Sequence, residues 1–312
     1  MPANAGITNY DPDKDIPSLV GKVIFVTGGT AGLGRESILK FAQHKPAHIY
    51  FTGRNVEAAE SLINEVKDRD PSIGLSFVAL DMTSLASVKA AVNNTFTHDR
   101  LDILMPNAGV MAIPPGLSKD GFEVQFAINH LANAMVIQQL LPMLSRTAAQ
   151  SNLDVRIVSL TSEGWGLHPK GGVVFDKLRT PQEGLFGSWT RYGQSKLANI
   201  VYARELARRF PDILSVAVFP GVVETGLVTE LPSLKRKFTV WSSRLMGFSM
   251  LSADKGCYSQ VWAATASRSE VQSGSYYMPV GVVGDDKLDK TARDAKLAEE
   301  LYSWTDKVLA EY

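Results

Sequence analysis

Short runs of apolar and β-branched residues recur at 22–27, 48–52, 75–80, 101–105, 155–160, 214–219 and 275–280, and segments of helix length separate most of them. This alternation limits the fold more than any other feature, because strands that alternate with helices pair in parallel and bury both faces of their sheet. Runs such as Val23-Ile24-Phe25-Val26 and Ile103-Leu104-Met105 lack polar alternation, as strands covered on both faces require. The expectation is an α/β fold, a doubly wound parallel sheet of about seven strands. No Gly/Ser/Pro-rich linker interrupts the chain, so residues 21–312 are expected to form a single domain ending in a helical tail. Residues 1–20 mix Asp, Pro and Lys without an apolar stretch and are expected to be a mobile leader.

Charge and cysteine content exclude several functions. Lys plus Arg and Asp plus Glu both number 32, so no net charge draws the chain to nucleic acid or to an acidic membrane. No stretch of about eighteen apolar residues could span a bilayer. Cys257 is the single cysteine, which precludes an internal disulfide and fits a cytoplasmic location. His44 and His48 have the spacing of a zinc-binding helix, but Pro46 lies between them, so no metal is expected.

In a sheet of this kind ligands bind at the carboxyl ends of the strands, beside the reversal of strand order. After the first run stands Thr27-Gly28-Gly29-Thr30-Ala31-Gly32-Leu33-Gly34, leading into a helical pattern at Arg35. Glycines allow a tight turn and close approach to a pyrophosphate, and the following helix offers free N–H groups to it. The spacing, G-x-x-x-G-x-G, departs from the common G-x-G-x-x-G, and an ordinary packing turn is the competing reading. The residue that reads the adenosine ribose stands about 20 positions further on, where an acid selects NAD and an arginine accommodates the 2′-phosphate of NADP. Arg54 occupies that place, and Arg35 could add a second positive charge. NADP(H) is the expected cofactor.

The sharpest motif is Tyr192-Gly193-Gln194-Ser195-Lys196. Tyr192 and Lys196 lie at i and i+4 on one helical face, and a neighbouring ammonium favours the phenolate of a group whose pKa is ordinarily about 10. Taken alone, the pair is a common surface feature. The whole pattern resembles the short-chain dehydrogenase/reductase family in its single-domain Rossmann form, since four further segments match in order: Asp81, Asn107-Ala108-Gly109, Asn129 and Ser162.

That resemblance implies a role for each match. Tyr192 would donate or accept the proton, Ser162 would orient the carbonyl, Lys196 would lower the tyrosine pKa and hold the ribose, and Asn129 would anchor a relay water. Asp81 and Met82 would meet the adenine; Asn107, Ala108 and Gly109 would line the cofactor. Pro220, Gly221, Val223 and Thr225 would hold its carboxamide end. Ser159 and Thr161 are rivals of Ser162 for the hydroxyl role. The interval from Ser162 to Tyr192 is long for the family and resembles the retinol-dehydrogenase-like branch and its fungal relatives.

The implied reaction interconverts a ketone or aldehyde and an alcohol on a small apolar substrate. The alternatives are a non-catalytic NADP-sensing or scaffold protein, or a dehydratase or epimerase using the same site. A substrate lid is expected around residues 226–255, where Phe238, Trp241, Leu245 and Phe248 share a helical face. Membrane-surface binding and subunit contact in a homodimer are the other readings of that basic amphipathic segment.

Overall fold

The computed structural model describes residues 9–150, 153–184, 187–226 and 249–312. A short helix α1 (Pro12–Asp15) leads into β1 (Val23–Val26), α2 (Gly32–Ala42), β2 (His48–Gly53), α3 (Val56–Arg69), β3 (Gly74–Ala79), α4 (Leu85–Thr95) and β4 (Ile103–Met105). Then follow α5 (Val124–Phe126), a π-helical turn (Ala127–Leu131), α6 (Ala132–Ala148), β5 (Arg156–Leu160), a 3-10 turn (Glu163–Leu167), α7 (Gly187–Arg209) and β6 (Leu214–Val218). The remainder comprises β7 (Val222–Val223), β8 (Met250–Leu251), the helix Tyr258–Thr265, β9 (Tyr276–Met278), β10 (Val282–Val283) and the C-terminal helix Ala295–Leu309.

The main sheet has the order β3-β2-β1-β4-β5-β6-β9-β10. Every pairing is parallel except the last, where β10 folds back on β9 as an antiparallel edge. The doubly wound sheet therefore has eight strands rather than about seven. A two-residue strand is too short to carry a period, which is why β10 was not foreseen. Strand order reverses between β1 and β4, so their carboxyl ends open a crevice.

Side chains of β1 show why the strand had to be apolar throughout. Val23 and Phe25 enter the core on one face of the sheet, while Ile24 and Val26 enter the core on the other. Residues 9–20 are not a free leader. Ile16 and Leu19 are buried in the second core, the Leu19 amide bonds the His44 carbonyl at 2.8 Å, and Asp13 pairs with Lys40. The pattern of that stretch failed to show this because two apolar residues suffice to anchor it. Among the described residues no helix is long and apolar enough to cross a membrane.

Candidate active site

The turn after β1 opens a helix with no side-chain cap. Helices α3 and α4 begin under side-chain caps from Asn55 and Ser84, whereas α2 begins after Ala31 with no side-chain cap. Among the described residues no side chain caps its first-turn N–H groups, which stand at the positive end of the helix dipole. Gly32 adopts φ +52°, which disfavours other residues, and a β-carbon on Gly34 would strike the Gly28 carbonyl and the Asn107 amide. Gly28, Thr30 and Leu33 complete the turn, and Thr30 packs against Gly53 at the end of β2.

The turn after β4 is stitched to it. Thr27 Oγ1 accepts from the amides of Asn107 and Ala108, both at 2.8 Å, and donates to Asn133 Oδ1 at 2.8 Å. Asn107 Nδ2 donates to the carbonyls of Thr27 and Gly28, so this side chain shapes the crevice from behind. Asn133 Nδ2 closes the stitch on the Ala108 carbonyl at 2.9 Å. Asn133 is not legible in the sequence, because a buried Asn inside an apolar helix carries no motif of its own.

The structure brings Ser162, Tyr192, Lys196 and Asn129 together around Gly109 and Gly164. Helix α7 lies against the 3-10 turn so closely that a β-carbon on Gly164 would stand 2.7 Å from Tyr192 Cε1, and one on Gly193 would stand 2.7 Å from the Gly164 carbonyl. Of the three candidate hydroxyls, Ser162 is the one that acts on the Tyr192 phenol, drawing its pKa down. Ser162 Oγ also accepts from the Gly164 amide at 3.1 Å, so the same residue caps the 3-10 turn and serves the phenol. Thr161 Oγ1 donates instead to the Lys196 carbonyl at 2.8 Å, and Ser159 lines a small cavity behind the site with His130, Asn133 and Asn199.

Electrostatics depart from the expectation for Tyr192. Burial pushes its phenol up to about 12, against the smaller downward pull of the Ser162 hydroxyl. Lys196 Nζ sits 5.8 Å from the phenol ring centroid and donates to the Leu160 carbonyl at 3.3 Å; burial holds this ammonium down at about 8. Lys196 therefore does not bring the phenol below its ordinary value in this state. Asn129 has its side chain fully engaged, with Oδ1 accepting from Val110 N at 2.7 Å and Nδ2 donating to Val110 O and Ser195 Oγ at 2.9 Å each. It lies in the π turn, a helical irregularity often found at functional sites.

Most of the other expected residues follow β2, β3 and β6. Arg54 is exposed beyond β2 and makes no ion pair among the described residues, whereas Arg35 is engaged by Glu36 and Glu65. Asp81 accepts from the Thr83 amide and hydroxyl and pairs with Lys119 at 2.9 Å; the ammonium first of all holds its carboxyl down at about 2. Met82 packs on the core beside it. Pro220 and Gly221 turn the chain from β6 into β7, and Val223 pairs with Leu251 of β8; Thr225 follows, beside Gly32. Unforeseen was Trp189, whose ring stands edge-on to Tyr192 at 6.3 Å. Phe238, Trp241, Leu245 and Phe248 of the expected lid lie outside the described residues.

Comparison with known proteins decides the family. The short chain dehydrogenase model matches residues 22–169. An uncharacterized oxidoreductase of Schizosaccharomyces pombe is 35% identical over 304 residues, covering 96% of this chain and 88% of that protein. The chain belongs to the short-chain dehydrogenases. Human retinol dehydrogenase 11 is a further relative of this dehydrogenase, 29% identical over 287 residues, covering 91% of this chain and 84% of that one. Among solved structures, the NADPH-bound carbonyl reductase from chicken fatty liver shares the fold, with a TM-score of 0.60 at 22% identity, over 85% of this chain and 99% of that one.

Proposed function

We propose that this short-chain dehydrogenase is an NADP(H)-dependent carbonyl reductase or alcohol dehydrogenase acting on a small apolar substrate, with Tyr192 as its acid and base. The observation that carries the reading is the buried Tyr192 phenol, beside Ser162 and one helical turn from Lys196, whose ammonium lies by Gly109 in the loop stitched to the uncapped turn after β1. That turn fits the pyrophosphate, and Arg54, exposed and without an ion pair among the described residues, fits a 2′-phosphate. The bound cofactor supplies or removes the hydride.

This chain's residues supply the proton and the orientation. With its value near 12, the Tyr192 phenol stays protonated at neutral pH, the state needed to donate to a carbonyl oxygen as it becomes an alcohol. Ser162 Oγ already accepts from the Gly164 amide, can accept from the phenol with its second lone pair, and so keeps its single proton to donate to the substrate oxygen. Lys196 has its ammonium beside Gly109, where a nicotinamide ribose would lie. Trp189 offers an aromatic wall for an apolar substrate. Its cytoplasmic location and assembly as a homodimer are part of this reading, checked by cell fractionation and light scattering.

A panel of aldehydes and ketones, followed by NADPH absorbance and repeated with NADH, tests the proposal. Turnover of at least one carbonyl with NADPH favoured over NADH is expected; equal use of the two cofactors would overturn the NADP assignment, and binding of NADPH without turnover across the panel would favour a sensor.

A further inference from the structure

Arg191 and Glu123 form an ion pair deep inside the protein, 3.1 Å from Nε to Oε1, with side-chain exposures of 2% and 0%. Nη1 donates to the Gln182 carbonyl at 2.9 Å and Nη2 to the Ile113 carbonyl at 3.0 Å, whereas Nε, close as it lies to Oε1, makes no aligned hydrogen bond among the described residues. The Glu123 carboxylate accepts in turn from the amides of Gln125 at 3.1 Å and Phe126 at 2.7 Å, capping α5. Burial nevertheless holds that carboxyl above its ordinary value. A buried ion pair contributes little to stability compared with neutral groups of similar shape, so its presence calls for another explanation.

The geometry of the partners supplies one. Arg191 immediately precedes Tyr192 on α7. Ile113 belongs to the loop whose Val110 clamps Asn129, Gln182 to the long segment between Ser162 and Tyr192, and Glu123 to the cap of the helix that runs into the π turn of Asn129. A second tie runs parallel, from Gln125 Nε2 to the Ser188 carbonyl at 2.9 Å. We propose that Arg191, seated on Glu123, is a positioning residue that sets the distance between the Tyr192 helix and the Asn129 turn and fixes the loop bordering the substrate. The turnover part of this proposal rests on the oxidoreductase reading above.

The test compares wild type with Arg191→Lys, Arg191→Met and the charge-neutral double variant Glu123→Gln/Arg191→Met in the full chain. The double variant is expected to melt within a few degrees of wild type and to bind NADPH within about twofold of it, since neither residue touches the phosphate turn. Its kcat/KM for a carbonyl substrate should fall at least tenfold, and exchange of the Val110 amide proton should quicken at least tenfold, because Ile113 loses its anchor. Arg191→Lys should lie between the two, as a point charge cannot reach all three carbonyl and carboxylate partners. A double variant with wild-type kcat/KM and wild-type Val110 protection would overturn the proposal. So would one that fails to fold while Arg191→Lys is fully active, which would assign the pair to stability alone. Should wild type turn over no carbonyl, the functional reading fails, and the Val110 exchange still decides the positioning role.

Discussion

Lys196 sits in surroundings that oppose its own charge. Its folded value of about 8 lies below the 10.5 of an unfolded lysine, so its contribution is fully favourable only above about 10.5 and is lost as pH falls through about 8. At pH 7 the buried ammonium costs on the order of 3 kcal/mol. Lys196→Met is therefore expected to melt several degrees above wild type at pH 7, to lose that margin toward pH 10.5, and to lose turnover; a lower melting temperature at pH 7 would contradict it. If Arg54 holds a 2′-phosphate as proposed, Arg54→Ala would remove one charge-assisted contact worth about 1.5–3 kcal/mol, and NADPH affinity should fall roughly tenfold to more than a hundredfold while NADH affinity holds. Cofactor titration of both proteins measures this. At this scale the sequence named the residue types of the site, because Tyr192-x-x-x-Lys196 lies within one helical turn. It could not show the Glu123–Arg191 pair, whose partners are far apart in the chain and whose charges read as surface. Nor could it show that Glu65 already engages Arg35.

The elements carry their own predictions. Because a β-carbon on Gly34 meets the backbone of Gly28, Gly34→Ala should distort the phosphate turn and weaken NADPH binding at least tenfold, measured by cofactor fluorescence; unchanged binding would contradict the cradle. Strand β2 starts at His48, whose ring burial, with His98 against it, lowers to about 4. Its folded value lies below the unfolded 6.5, so this histidine's contribution to stability is present above about 6.5 and is lost as pH falls toward 4. Denaturant unfolding at pH 7 and pH 4.5 should show a loss in wild type that is smaller in His48→Gln; equal losses would contradict the assignment. Long apolar runs made seven strands legible. The two-residue strands β7, β8 and β10 and the π turn at Asn129 were not, since pairs such as Val222–Val223 have no period and a π turn has no residue signature.

At the scale of the whole molecule, the C-terminal helix packs against α7. Trp304 packs edge-on to Phe122 at 6.0 Å and Phe126 at 6.1 Å, and Thr305 bonds the buried His130 ring at 3.0 Å. A chain ended after Asp294 should expose this aromatic cluster and aggregate or melt far below wild type, although it retains every expected site residue; wild-type melting would show that the helix is dispensable. The same long-range packing gathers Ser162 and Tyr192 from separate segments into one site, and its chemistry admits a direct test. Tyr192→Phe keeps the ring against Gly164 and removes only the transferable proton. Steady-state reduction of a carbonyl substrate by NADPH, measured beside NADPH binding, should show turnover lowered by about 10²-fold or more with affinity unchanged. A Tyr192→Phe enzyme that keeps more than about a tenth of wild-type turnover would contradict the role given to that phenol.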